Sequence, residues 1–232
     1  MYNHHMPATT YQIRLCKDCG LRYPLAEGQA FGIRCPMCMG DTRLILSRAL
    51  DFEPIRDRPE SFHQEEIQDK KNKSGRSINK IAVLLDNIRS AWNVGSILRS
   101  ADGFGFGHAY LCGITPTPDG PARESVIKTA LGAEDSVTWS HHQDAVKLVS
   151  ELKKERWQIW ALEEDPKATS ISQFSPPHLK QQIMLIVGSE VTGVDPELLD
   201  LADAILYIPM RGEKRSFNVA MAFSIAAYQL QK

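Results

Sequence analysis

From Lys80 to the end of the chain, short apolar runs alternate with stretches whose apolar residues recur every three or four positions. The short runs, bounded by polar and turn residues, predict strands at Ile81–Leu85, Ala109–Leu111, Gln158–Leu162, Ile183–Val187 and Ala204–Ile208. The helical spacing predicts helices over Val94–Gly103, Ala122–Leu131, His142–Glu155, Pro196–Leu201 and Val219–Gln231. Strands and helices in alternation read as an α/β domain on a parallel sheet. Upstream the pattern fails. Residues 51–79 are charged and weakly periodic, broken by Pro54 and Pro59 early and by Ser74-Gly75 late. They read as a charged linker, with a short helical pattern around Phe62–Lys71. The chain therefore divides into an N-terminal segment, 1–50, a linker, 51–79, and an α/β domain, 80–232.

The N-terminal segment carries its own signature. Cys16, Cys19, Cys35 and Cys38 form two C-x2-C pairs separated by fifteen residues. This is the spacing of a four-thiolate structural zinc site, in which each pair wraps one side of a tetrahedral ion. Gly20 and Gly40 permit the tight turns that such knuckles need. Iron uses the same ligands in a rubredoxin-like site and stays open; disulfides fit a cytosolic chain poorly. Four thiolates leave no open coordination position, so a zinc ribbon here folds its segment rather than doing chemistry. The fifth cysteine, Cys112, ends an apolar run and reads as a buried small hydrophobe.

Composition changes the picture little. At 232 residues the chain can hold one good core and a small extra domain. No apolar run reaches the roughly 18 residues of a membrane span, and Met1–Thr10 lacks a signal-peptide core, so a cytoplasmic protein with no membrane partner is expected. Net charge is −1, which does not advertise nucleic-acid binding. Its distribution is more telling. Lys70, Lys71, Lys73, Arg76 and Lys80 cluster in the linker, and Arg14, Lys17, Arg22, Arg34, Arg43 and Arg48 outnumber the acids of the first fifty residues. Such clusters can neutralise phosphates. They are also what an ordinary solvated surface looks like. Gly103, Gly105 and Gly107 follow a helix and complete no G-x-G-x-x-G, so a dinucleotide loop fails its context.

Three strand-to-loop junctions concentrate small and polar residues, which suggests one ligand site at the carboxyl edge of the sheet. The first holds Asn93, Gly95 and Arg99; the second Gly188, Ser189, Glu190 and Gly193; the third runs from Ile208 through Met210, Gly212, Ser216, Phe217 and Asn218 to Val219. In order and spacing these resemble the N-x-G-x-x-x-R, G-[SA]-E-x-x-G and I-P-M-x-G-x-x-x-S-[LF]-N-V motifs of the SpoU (TrmH-type) RNA ribose methyltransferases of the SPOUT superfamily. The resemblance covers roughly residues 80–232. Ala91 stands where the family usually has proline, and Phe217 where leucine is commoner. Neither change removes a polar group.

The resemblance implies a SPOUT-like fold, an α/β parallel sheet with a C-terminal trefoil knot that periodicity could never have suggested. It implies S-adenosylmethionine (AdoMet) as methyl donor, a ribose 2′-hydroxyl of tRNA or rRNA as acceptor, and a homodimer. Cofactor contacts fall on Leu162, Gly188, Glu190, Ile208, Met210, Gly212, Ser216, Phe217 and Val219, with Glu163 nearby. The catalytic set is Arg99, Asn93, Glu190, Ser216 and Asn218. Arginine is a poor general base because it keeps its proton, so Arg99 reads better as a clamp on phosphate and on developing alkoxide. Asn93 also reads as an N-cap for a helix from Val94, and Ser216 and Asn218 as caps of the last helix. Glu190 could accept from Arg99 or Asn218. Lys128 is either an RNA contact or a solvated lysine. Trp139, Trp157 and Trp160 read as core or dimer interface before base-stacking platforms. The zinc ribbon is expected to present Arg22, Arg34 and neighbours to RNA, independently of the cofactor site, although a protein contact is equally open. Two other readings remain: a non-catalytic RNA-binding protein that keeps the fold, and a nucleotide-dependent oxidoreductase on an open sheet.

Overall fold

The computed structural model describes residues 10–26, 33–49, 81–174, 182–214 and 216–231. The linker with its cluster from Lys70 to Lys80, and Arg215 of the third motif, lie outside these. The N-terminal segment forms β1 (Thr10–Cys16), β2 (Arg22–Ala26) and β3 (Thr42–Ala49), an antiparallel sheet in the order β2-β1-β3. Its small core is Cys16, Leu21, Tyr23 and Cys35.

The second unit follows as β4 (Ile81–Asp86), α1 (Ala91–Gly103), β5 (His108–Cys112), α2 (Arg123–Ala130), α3 (Ala133–Ser136), β6 (Thr138–His142), α4 (Ala145–Lys154), β7 (Gln158–Leu162), β8 (Thr169–Ser170), β9 (Ile183–Val187), α5 (Pro196–Leu201), β10 (Ala204–Tyr207) and α6 (Val219–Gln229). Seven strands pair in the order β6-β5-β4-β9-β7-β10-β8, every pair parallel. The central strands β4 and β9 are buried throughout because both sheet faces are covered. Val83, Leu85, Ile183, Leu185 and Val187 face one layer, formed by α1, α2 and α6. Ala82, Leu84, Met184 and Ile186 alternate to the other, formed by α4 and α5.

The elements predicted from Lys80 onward are all present within a few residues, and the helical pattern around Phe62–Lys71 lies outside the described residues. Two differences have clear causes. The polar run Thr138–His142 is a strand at the sheet edge, so α4 starts at Ala145 with Asp144 as its cap, not at His142. The strand holds by parallel pairing with β5 and by hydrogen bonds that the two nitrogens of the His108 ring share with the Thr138 and Ser140 hydroxyls. Helix α1 starts earlier than predicted. Its cap is Ser90, whose side chain accepts from Asn93 N–H at 3.4 Å, so Asn93 is inside the helix with its amide free for other work. Gly95 serves packing: a Cβ there would run into Thr129 and the Val126 carbonyl of α2. Three of the four tryptophans are structural, with Trp160 and Trp157 buried and Trp139 packed against the core, while Trp92 is exposed.

Candidate active site

The carboxyl ends of β7, β9 and β10 open onto a cleft of about 600 Å³. Its apolar lining includes Leu162, Val187, Ile208, Met210, Phe217 and Val219; its polar lining includes Glu163, Glu190, Ser189, Ser216 and Asn218. Gly188 and Gly193 form its floor. Ser189 and Gly193 exchange backbone hydrogen bonds of 3.0 and 2.9 Å, which closes a tight turn. Gly193 holds φ at +70°, and a Cβ there would meet the Glu163 carboxylate; a Cβ on Gly188 would meet the Gly193 backbone. Glu163 is held from the other side, accepting from Val194 N–H at 2.8 Å and Glu164 N–H at 3.0 Å. Burial pushes its carboxyl above the ordinary glutamate range, and those two N–H groups oppose the shift.

A row of polar side chains crosses the mouth of this cleft. Asn218 Nδ2 donates to Asn93 Oδ1 at 3.0 Å, and Asn93 Nδ2 donates to Glu190 Oε1 at 2.8 Å. Asn218 also caps α6 as predicted, its Oδ1 accepting from Ala220 and Met221 N–H. Glu190 accepts from Arg89 N–H at 2.9 Å and Ser90 N–H at 3.1 Å. Burial alone would raise its pKa, but the N–H groups of Arg89, Glu190 and Ser90 together with the Asn93 amide hold it below the ordinary range. An ionised carboxylate therefore faces the cleft, fixed at the entry to α1.

Of the predicted site residues, Asn93, Glu190 and Asn218 are joined directly, and Leu162, Gly188, Ile208, Met210, Ser216, Phe217 and Val219 line the cleft beside them. Gly212 is not in the lining, and nothing lies within 4 Å of where its Cβ would stand. Arg99 is exposed, six residues beyond Asn93 and so about 9 Å further along α1. Its side chain makes no hydrogen bond or ion pair with the described residues, and Glu190 bonds Asn93 instead. Lys128 sits 5.0 Å from the centre of the Trp92 ring. Ser90 and the backbone of Arg89 were not singled out from sequence. A serine just before a helical pattern was the available signal for the first.

The four cysteines of the ribbon bring their Sγ atoms within 4.8 Å of one another. Cys16 and Cys38 are 3.5 Å apart and Cys19 and Cys35 3.6 Å. Tetrahedral zinc with Zn–S bonds of about 2.3 Å needs sulfur separations of about 3.8 Å, so the set fits the ion closely. The Cys19 N–H first, and the Asp18 N–H behind it, draw the Cys16 thiol down to about 7. Burial pushes Cys19 up to about 12, a conflict that coordination to a dication removes. Gly20, at φ +75°, turns the chain out of the first knuckle. The ribbon's cations are less available than the sequence suggests. Arg22 is buried against Asp195, and Arg14 is buried with bonds to Thr42 and Gln12. Arg34 is exposed but paired with Asp41 at 2.6 Å. Lys17, Arg43 and Arg48 remain exposed.

The SpoU rRNA Methylase family matches residues 80–228. Among similar proteins, the 23S rRNA (guanosine(2553)-2′-O)-methyltransferase RlmP of Bacillus subtilis is 32% identical over 156 residues, 64% of this chain and 57% of the relative. The chain thus spans a little over half the length of that relative. The TrmH/SpoU tRNA modifying enzyme of Aquifex aeolicus superposes with a TM-score of 0.57 at 25% identity, over 66% of this chain and 74% of that one. AviRb from Streptomyces viridochromogenes, solved in complex with AdoMet, gives a TM-score of 0.57 at 23% identity, over 65% of this chain and 58% of that one, and shows the fold alone. The ribbon precedes the matched segment, which takes in the whole parallel sheet and all but the last residue of α6. On that match, over more than half of its residues, this chain belongs to the SpoU rRNA Methylase family.

Proposed function

We propose that the chain is an AdoMet-dependent RNA methyltransferase that acts on a ribose 2′-hydroxyl of transfer or ribosomal RNA. The observation that carries this reading is the row Asn218–Asn93–Glu190, which links α1, the Gly188–Gly193 turn and α6 across one cleft. Residues of all three motifs thereby meet at a single site.

The cleft fits a nucleoside sulfonium. Leu162, Ile208, Met210 and Phe217 offer apolar walls for a base, and the glycine turn lets backbone approach. The ionised Glu190 carboxylate suits a cationic sulfonium. AdoMet supplies an activated methyl group, so no metal or covalent enzyme intermediate is required. The protein must align the hydroxyl and manage its proton. Glu190 and Asn218 hold the entries to α1 and α6, Asn93 joins the two, and Ser216 adds a hydroxyl to the same cleft. Arg99 acts as a clamp on the RNA phosphate and on the developing alkoxide, a role that suits a planar guanidinium better than proton abstraction. Since Arg99 does not reach the Asn93–Glu190 pair within one chain, bound RNA or a second copy completes the site.

A homodimer is consistent with α6. Its buried face packs on the core through Ala220, Phe223, Ala226 and Ala227, while Met221 and Ile225 on the other face are 57% and 37% exposed. The ribbon's remaining exposed cations, Lys17, Arg43 and Arg48, would extend an RNA footprint. No described helix is long and apolar enough to cross a membrane, and a cytoplasmic location goes with RNA as substrate. Calorimetric titration with AdoMet, then release of S-adenosylhomocysteine on adding unmodified RNA, tests the reading. Binding followed by RNA-dependent turnover is expected. Binding without turnover on any transfer or ribosomal RNA would favour a non-catalytic RNA-binding protein, and absence of binding would reject the site.

A further inference from the structure

The ribbon is seated on the methyltransferase domain through buried contacts. Arg22 Nε and Nη2 form a fork on Asp195 at 2.7 and 3.1 Å, with the two side chains 7% and 3% exposed. Glu197 adds a second carboxylate to Arg22 at 3.2 Å. The Arg22 N–H donates to the Gln143 carbonyl at 2.9 Å, and Ile114 packs against the ribbon core. Every one of these partners lies in the second unit. A buried fork of this kind holds its place, because losing one partner leaves the other charge unpaired.

Both ends of this contact lead to a site. Arg22 follows the first metal knuckle by three residues, and Cys16 N–H bonds the Leu21 carbonyl at 2.9 Å, so the knuckle fixes where Arg22 stands. Asp195 lies two residues beyond the turn that floors the cleft. Its backbone N–H donates to buried Asp86 Oδ2 at 2.9 Å, and the preceding residue, Val194, is tied to Glu163 at 2.8 Å. Tyr11, Ile13 and Pro24 of the ribbon sheet surround the back of this segment, against Asp86 and Thr192–Asp195. The turn thus faces the cleft on one side and the ribbon on the other.

We infer that the ribbon is a fixed buttress behind the Gly188–Gly193 turn, and that Arg22 is the positioning residue coupling the four-cysteine site to the cleft. The ligand side of this inference rests on the reading of the cleft as an AdoMet site. Zinc and AdoMet then bind with positive coupling, each tightening the other by the same factor. The expectation that the two sites are independent gives way to linkage.

The test uses the full-length, zinc-loaded protein and its Arg22→Met and Arg22→Lys variants, with zinc content checked. Amide hydrogen exchange across residues 188–195 is read without ligand, AdoMet affinity by calorimetry, and zinc loss to a chelating dye with and without AdoMet. In Arg22→Met, exchange across the turn should speed up and AdoMet should bind about tenfold more weakly, with zinc retained. Arg22→Lys keeps the charge and loses the fork, so it should fall between. AdoMet should slow zinc loss from the wild type and not from Arg22→Met. Should Arg22→Met fail to fold, Arg22→Lys and zinc stripping of the wild type give the same two readouts. Exchange at 188–195 that is unchanged by these perturbations overturns the inference. A coupled turn in a protein that binds no AdoMet would sink the cofactor reading and leave the buttress standing.

Discussion

Gly193→Ala tests the cleft floor directly. The position holds φ at +70°, where an L side chain costs about 1–2 kcal/mol. The new methyl also meets the Glu163 carboxylate, which must move and give up its bonds from Val194 and Glu164 N–H. Each of the two lost bonds costs about 0.5–1 kcal/mol, so the combined penalty is about 2–4 kcal/mol. Relaxation will divide it between global stability and the shape of the cleft. If half falls on the cleft, AdoMet affinity drops by about five- to thirtyfold. The other half lowers the melting temperature by about 2–8 °C. Gly212→Ala is the control. Its Cβ would stand in open space, so stability and affinity should hold within about 0.5 kcal/mol. Calorimetry and thermal unfolding of both variants decide the matter. A Gly193→Ala protein that binds AdoMet within twofold of wild type and melts like Gly212→Ala would show that this turn does not shape the cleft.

Other consequences follow from single groups. Arg99→Ala should abolish methyl transfer while AdoMet affinity holds, because Arg99 touches nothing in the cleft; full activity in that variant would remove it from the mechanism. Replacing Cys16 and Cys19 with serine should release the metal, read as loss of one zinc per chain by elemental analysis; zinc retained at full stoichiometry would refute the four-thiolate site. Burial, and then the charge of Asp195, push the Asp86 carboxyl from 3.8 up to about 7. A carboxyl raised on folding binds its proton more tightly in the folded state, so its contribution declines as pH climbs from 3.8 through 7. The melting temperature of Asp86→Asn should therefore gain on wild type across that window, and parallel pH profiles would refute the shift. Glu190 has the opposite sign. Held below 4.5, it stabilises above that pH and loses the contribution as pH falls through its folded value, so acid unfolding of Glu190→Gln should be less steep.

The sheet was legible where burial is two-sided. Ile81–Leu85 and Ile183–Val187 are continuous apolar runs because both faces of β4 and β9 are covered, and no other element of that length suits such a run. The edge strand β6 was not legible. Thr138–His142 owes its strand state to β5 beside it and to side-chain bonds from His108, none of which shows as local periodicity. The cysteine spacing was legible because coordination geometry is itself a spacing rule. The site was half legible. Motif order located the cleft, yet Asn93 resembled a cap when Ser90 fills that place and the Asn93 amide bonds Glu190 and Asn218. Gly95, Gly193 and Gly212 look alike in sequence. One allows two helices to meet, one closes the floor of the cleft and one stands in open space. The seating of the ribbon was illegible, since Arg22 and Asp195 are 173 residues apart and each reads as a surface charge on its own.

The defining property of the proposed enzyme is where it puts a methyl group. The most direct measurement supplies the zinc-loaded protein with methyl-labelled AdoMet and unmodified transfer and ribosomal RNA, then digests the RNA to nucleosides. Label in a 2′-O-methyl nucleoside is the predicted result. Label on a base, with ribose unmodified, would contradict the account even though methyl transfer had occurred.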